Sequence, residues 1–135
     1  MVCLYCGHET TVTNSRHQKR LNQTWRRRRC VGCSTVFTTL ETPDLSASLV
    51  VRKIDTTEHF SRDKLFLSLV ASLGHRRDST ADAGALSATI ITLLLKNHSG
   101  ALLEAREIAQ TTQTVLTRFD KAAATHYTAY HSENL

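Results

Sequence analysis

Two Cys-x2-Cys pairs near the N-terminus, strand-like stretches around them and four runs of helical periodicity after residue 60 predict an α+β chain. The expected architecture is a small antiparallel β-sheet pinned by the cysteines, then a β-hairpin leading into a bundle of about four helices. The change falls at Leu45 to Ser48, so the expected domains are residues 1–45 and 46–135. At 135 residues the chain can hold two small modules, and the first has too little apolar material to stand without a staple.

That staple is the cysteine set. Cys3-x2-Cys6 and Cys30-x2-Cys33 use all four cysteines of the chain. Each pair can turn both sulfurs toward one point, and four thiolates suit a tetrahedral Zn²⁺ at about 2.3 Å. Two disulfides are the bland alternative, but such scaffolds are secreted, and the stretch before Cys3 has no signal-peptide pattern. The expected ligands are therefore Cys3, Cys6, Cys30 and Cys33, with His8 a solvated or hydrogen-bonding side chain beside the first knuckle, and the spacing reads as a zinc ribbon.

Charge is concentrated in the same stretch. The net charge is +5, and residues 1–45 hold seven Lys/Arg against three Asp/Glu. Trp25-Arg26-Arg27-Arg28-Arg29 is the centre of this stripe, which implies a polyanion partner. The most apolar run, Ile90 to Leu95, stops at Lys96, far short of a membrane span. With 41% hydrophobic and 21% charged residues, the composition points to a cytoplasmic globular protein whose thiols stay reduced.

Thr10 to Thr13 is β-branched enough for a strand, Asn14 to Gln23 reads as an exposed hairpin arm, and Gln23 to Arg29 returns as the second strand. In a strand, Trp25, Arg27 and Arg29 share one face, and Arg26 and Arg28 the other. Trp25 can stack on a base or pack on its own sheet. Val36 to Leu40 is a third strand, ended at Pro43, which has no N–H to give. Leu49 to Lys53 is a compact strand and Asp55-Thr56-Thr57 a turn. Ser61 is an N-cap for a helix carrying Leu65, Phe66, Leu69, Val70 and Leu73, with Gly74 placed to end it. Ser79 to Asp82 resembles a capping box opening a second helix to about Asn97. Leu103 to Phe119 is expected as a third helix, and Asp120 as the cap of a fourth that runs to about His131.

Taken in order, Cys-x2-Cys, Asn14-Ser15-Arg16, the arginine run, Cys-x2-Cys and Phe37-Thr38-Thr39-Leu40-Glu41 resemble the NrdR family of bacterial transcriptional repressors. Val50-Val51-Arg52-Lys53 and Phe60-Ser61-Arg62-Asp63-Lys64-Leu65 are similar to the opening of the ATP-cone, the nucleotide-binding module that follows the ribbon in that family. The resemblance implies a zinc-dependent repressor of ribonucleotide reductase genes, acting on operator DNA as a homo-oligomer controlled by ATP and dATP. Arg16, Lys19, Arg26, Arg27, Arg28 and Arg29 are the expected contacts to double-stranded DNA. In the cone, Val50 and Val51 are expected to supply adenine contact and core. Arg52, Lys53 and Lys64 are expected to gather at a helix N-terminus, which already favours phosphate. Ser79 would add a hydroxyl there or serve as a plain N-cap. The chain departs from the family pattern where Arg29 abuts Cys30, where Val36 stands in place of an arginine, and where Ile54-Asp55 lacks a turn glycine.

An enzyme is not expected. There is no glycine-rich phosphate loop and no His-Glu-x-x-His, and a zinc closed by four cysteines has no open coordination position. The competing readings are a ribbon that binds a protein partner, such as a polymerase or reductase subunit, and a ribbon that binds RNA. Tyr5, Trp25 and Phe37 are few aromatics for single-strand stacking.

Overall fold

The computed structural model describes residues 1–132 and divides the chain into two compact units, Met1–Asp44 and a second that begins at Leu45. In the first, β1 (Thr10–Gln18), β2 (Gln23–Cys30) and β3 (Val36–Glu41) form an antiparallel sheet in the order β1-β2-β3. A 3-10 turn, Lys19–Leu21, joins the first two strands, and Asn22 closes it at a φ of 47°, a left-handed conformation that asparagine tolerates. Pairing is interrupted once. Val12 faces Arg28 and Asn14 faces Arg27, so Thr13 is an extra residue, and its hydroxyl donates to the Arg27 carbonyl at 3.2 Å. The buried cluster of this unit is Cys3, Cys30 and Phe37. That is far too little apolar area to offset the entropy of ordering the chain, so the unit depends on its cysteines being cross-linked.

The second unit opens with the short α1 (Leu45–Ser48), where sequence suggests only a linker. Its sheet has the order β5-β4-β6, with β4 (Val50–Arg52) antiparallel to β5 (Thr57–His59) and parallel to β6 (Leu102–Glu104). Helices α2 (Arg62–Ser72) and α3 (Ser79–Asn97) intervene between β5 and β6, and α4 (Ala105–Phe119) and α5 (Lys121–Tyr130) follow. The centre of the core is Leu69, Leu73, Ile90, Leu103 and Leu116, none more than 1% exposed. Ser61 caps α2 by accepting from the Lys64 N–H at 3.2 Å, and Asp120 caps α5 by accepting from the Ala123 N–H at 3.1 Å.

Two further elements differ from the sequence reading. The third helix, expected from Leu103 because leucine and glutamate are good helix formers, begins only at Ala105. Instead Leu103 pairs with Val51 in the sheet and is 1% exposed. Burying a leucine contributes about 1.5–3 kcal/mol, more than the few tenths per residue at stake in propensity. Glu107 then accepts from the Glu104 N–H at 3.0 Å, which opens α4 one residue later. The other difference is at α3, where Asp78 occupies the N-cap position and Ser79 is already helical. Asp82 accepts instead from Arg76 Nε at 2.7 Å. No helix among the described residues is long and apolar enough to cross a membrane.

Candidate functional site

The two cysteine knuckles are built on one local frame. In the first, the Cys3 N–H donates to the His8 carbonyl at 2.8 Å, and Gly7 has a φ of 74°. In the second, the Cys30 N–H donates to the Thr35 carbonyl at 3.0 Å, and Ser34 takes the corresponding left-handed position at a φ of 60°. Backbone N–H groups point at sulfur in both: Tyr5 at Cys3 at 3.4 Å, and Gly32 and Cys33 at Cys30 at 3.3 and 3.4 Å. Such donors favour thiolates. All four cysteines are free of disulfides, and their sulfurs lie within 4.8 Å of one another.

The Cys3–Cys33 and Cys6–Cys30 sulfur pairs are 3.7 and 3.4 Å apart. Tetrahedral ligation at about 2.3 Å requires sulfurs about 3.8 Å apart, so the donor set fits one Zn²⁺. The electrostatics agree. Hydrogen bonds from the Thr35 hydroxyl and N–H bring the Cys33 thiol down to about 6. At Cys6 the His8 N–H pulls the same way, but the Cys30 sulfur, desolvation and the other two sulfurs outweigh it and push the thiol up to about 12. Four adjacent thiolates need a cation among them.

Strand β2 is central, so its arginines divide between the two faces of the sheet. Arg26 and Arg28 share the face of Cys30 and Phe37 and are engaged there. Arg26 meets Glu41 at 3.1 Å and Ser15 at 3.3 Å, and Arg28 donates to Thr39 at 3.3 Å and Thr10 at 3.4 Å. Arg27 and Arg29 are exposed on the other face, and among the described residues no side-chain hydrogen bond or ion pair holds either. Arg16 joins them. It lies opposite Trp25, and Asn14 opposite Arg27, because Thr13 bulges out of register; strict alternation from Thr11 would put Arg16 on the other face. Trp25 is half-buried in the same row as Arg16 and Leu40, and Lys19 is exposed on the turn at the hairpin tip.

In the second unit a cavity of about 220 Å³ lies beside the first turn of α2, with Val51, Lys53 and Lys64 in its wall. Glu58, which sequence reasoning did not single out, stands between the lysines, 3.0 Å from Lys53 Nζ and 2.7 Å from Lys64 Nζ. Hydrogen bonds from Lys64 first and Lys53 second hold its carboxyl below its ordinary value. Strand alternation turns Val50 and Arg52 away from this wall, and Arg52 pairs with Glu104. Ser79 does not line the cavity either. Of the six cone residues picked out by resemblance, the structure thus brings three together. It adds Ser68, Tyr127 and His131, the last two spaced four apart at the C-terminal end of α5, which was the one signal in the sequence that they share a face.

The family model described as transcriptional repressor NrdR-like, N-terminal domain, matches residues 1–41, a span that contains all four cysteines and the arginine run. A protein of Leptothrix cholodnii named transcriptional repressor NrdR is 32% identical over 134 residues, covering 98% of this chain and 90% of its own. One of the same name from Staphylococcus aureus is 43% identical over 77 residues, covering 56% of this chain and 49% of that protein. With the ribbon matched by the family model and the likeness continuing through the second unit, the chain belongs to the NrdR family of transcriptional repressors.

Proposed function

We propose that this chain represses ribonucleotide reductase genes by binding their operator DNA, with zinc holding the DNA-binding unit together and ATP and dATP setting its assembly. One Zn²⁺ on Cys3, Cys6, Cys30 and Cys33 supplies a structural cross-link. Because Cys30 is the last residue of β2, the ligands anchor the strand that carries the arginines. Four thiolates leave no open position, so the function is binding rather than turnover. The site of action is the cytoplasm, at the nucleoid.

The observation that carries the DNA reading is the shared, unengaged face of Arg16, Arg27 and Arg29. Guanidinium forks can clamp phosphates or the O6/N7 edge of guanine, and Lys19 adds charge at the hairpin tip. Arg26 and Arg28 act from behind, keeping β2 in register with its neighbours. A single ribbon covers little DNA, so specificity comes from two or more subunits on spaced half-sites.

The cleft of the second unit takes an adenine nucleotide, its phosphates drawn to Lys53, Lys64 and the N-terminus of α2. For control, ATP and dATP must favour different assemblies, since a ligand without preference shifts nothing. Size-exclusion light scattering with ATP, with dATP and without nucleotide, followed by gel shifts of each peak on duplex, single-stranded and RNA probes at two salt concentrations, tests the whole reading. Duplex operator should be retained selectively by one nucleotide state. Equal retention of all three probes, or of a protein partner alone, would overturn it.

A further inference from the structure

The cleft contains one polar pair that its ion pairs do not use. Ser68 on α2 and His131 just after α5 both line it, with Ser68 Oγ 3.2 Å from His131 Nε2. The other polar groups in the wall are committed elsewhere: Lys53 and Lys64 to Glu58, Ser61 Oγ to the Lys64 N–H, and Tyr127 to Thr112.

The chemistry of the pair is set by its neighbours. His131 Nδ1 lies 3.0 Å from the Tyr127 carbonyl, which can only accept, so Nδ1 carries a proton. The ring is also stacked on Tyr127, with centroids 4.1 Å apart and planes 10° from parallel. In the neutral ring Nε2 is then an acceptor, and the Ser68 hydroxyl donates to it. With its hydrogen committed, Ser68 Oγ offers only lone pairs to the cleft. A ligand group that meets it must be a hydrogen-bond donor.

We propose that Ser68, oriented by His131, accepts a hydrogen bond from the ribose 2′-hydroxyl of ATP and so distinguishes ATP from dATP. This rests on the nucleotide reading of the cleft. Lys64 and Ser68 are four residues apart on one face of α2, about 6 Å along the helix. With the phosphates at Lys53, Lys64 and the helix N-terminus, the next group along the wall is the sugar. The two nucleotides differ by one hydroxyl, so any protein that tells them apart by contact must do it at that position. Ser68 is the specificity-determining residue, and His131 positions it.

Isothermal titration of ATP and dATP into zinc-loaded full-length protein, wild type, Ser68→Ala, His131→Phe and Lys64→Ala, tests this. Ser68→Ala should weaken ATP binding about 3- to 10-fold while changing dATP less than about twofold, the loss expected for one hydrogen bond. His131→Phe keeps the stack on Tyr127 but frees the serine hydroxyl to rotate, so it should move the ATP/dATP ratio in the same direction by less. If Ser68→Ala binds both nucleotides with an unchanged ratio, the inference is overturned and the cleft reading stands. If wild type binds neither, or Lys64→Ala binds both undiminished, the cleft reading falls and takes this inference with it.

Discussion

Gly32 lies directly against the ring of His8: a Cβ at position 32 would come within 2.8 Å of His8 Cγ. His8 Nδ1 is itself 3.4 Å from Cys6 Sγ, so each knuckle leans on the other through this contact. Gly32→Ala should push the ring aside, with a cost of about 1–3 kcal/mol in ribbon stability. His8→Ala in the same chain should restore most of it. Chelator competition for zinc and thermal melts of both variants check this; a silent Gly32→Ala would show that the contact relaxes freely.

Metal and folding should be inseparable in the first unit, whose buried cluster is two cysteines and a phenylalanine. Cys30→Ser should release zinc and unfold the ribbon while leaving most of the helical circular dichroism, which comes from the second unit. Elemental analysis should find one zinc per wild-type chain. Well under one in protein prepared without chelator would contradict the ligand set.

Alternation along β2 makes neighbouring arginines behave differently. Arg27→Ala or Arg29→Ala should weaken duplex binding and, if the contact is to phosphate, reduce the salt slope by about one unit. If either reads a base, the loss should be about 1–3 kcal/mol and confined to the matched site. Arg28→Ala removes hydrogen bonds to Thr39 and Thr10, so its main effect should be on ribbon melting. Equal effects on DNA binding from Arg27→Ala and Arg28→Ala would count against the face assignment.

Asp120 gives the second unit a dependence on pH. His75 first, then the Ala123 N–H and Arg76, hold its carboxyl well below the usual carboxylate range. A carboxyl depressed by folding adds stability above its unfolded pKa of about 3.9 and loses it as pH falls through the lower folded value. Asparagine can still cap α5, so Asp120→Asn isolates the charge. The variant should melt below wild type at pH 7, and the gap should close as pH falls from about 4 toward 2. A gap that does not change with pH would assign the loss to packing instead.

How much could be read in advance depended on whether a feature is local in sequence. Each Cys-x2-Cys pair, the arginine stripe, the Ser61 cap and the Asp120 cap involves residues within a few positions of one another, and spacing or side-chain chemistry alone identifies them; that the two cysteine pairs meet, 24 and 30 positions apart, follows from the chemistry they share. The direction in which an arginine of β2 points also follows from alternation. Arg16 is a different case. Its face depends on a single unpaired residue, Thr13, and nothing in a run of β-branched and polar residues says where one strand will slip against another.

Tertiary structure decided the rest, because the remaining partners are brought together by the return of the chain. Leu102 to Glu104 is a strand only because β4 is there to pair with, and Arg52 meets Glu104 only through that pairing. Glu58 becomes a cleft residue when the strand that carries it sets it between Lys53 and Lys64. Ser68 and His131, 63 positions apart, become a hydrogen-bonded pair when α5 packs on α2. By itself the sequence determined the four-cysteine cluster, the charge of the first unit and where helices α2 and α5 begin, since caps, charge and the spacing within each knuckle act over a few residues. Which side chains face the cleft was settled by packing, since burial of the leucine core sets the orientation of each element against its neighbours, and no local pattern encodes that.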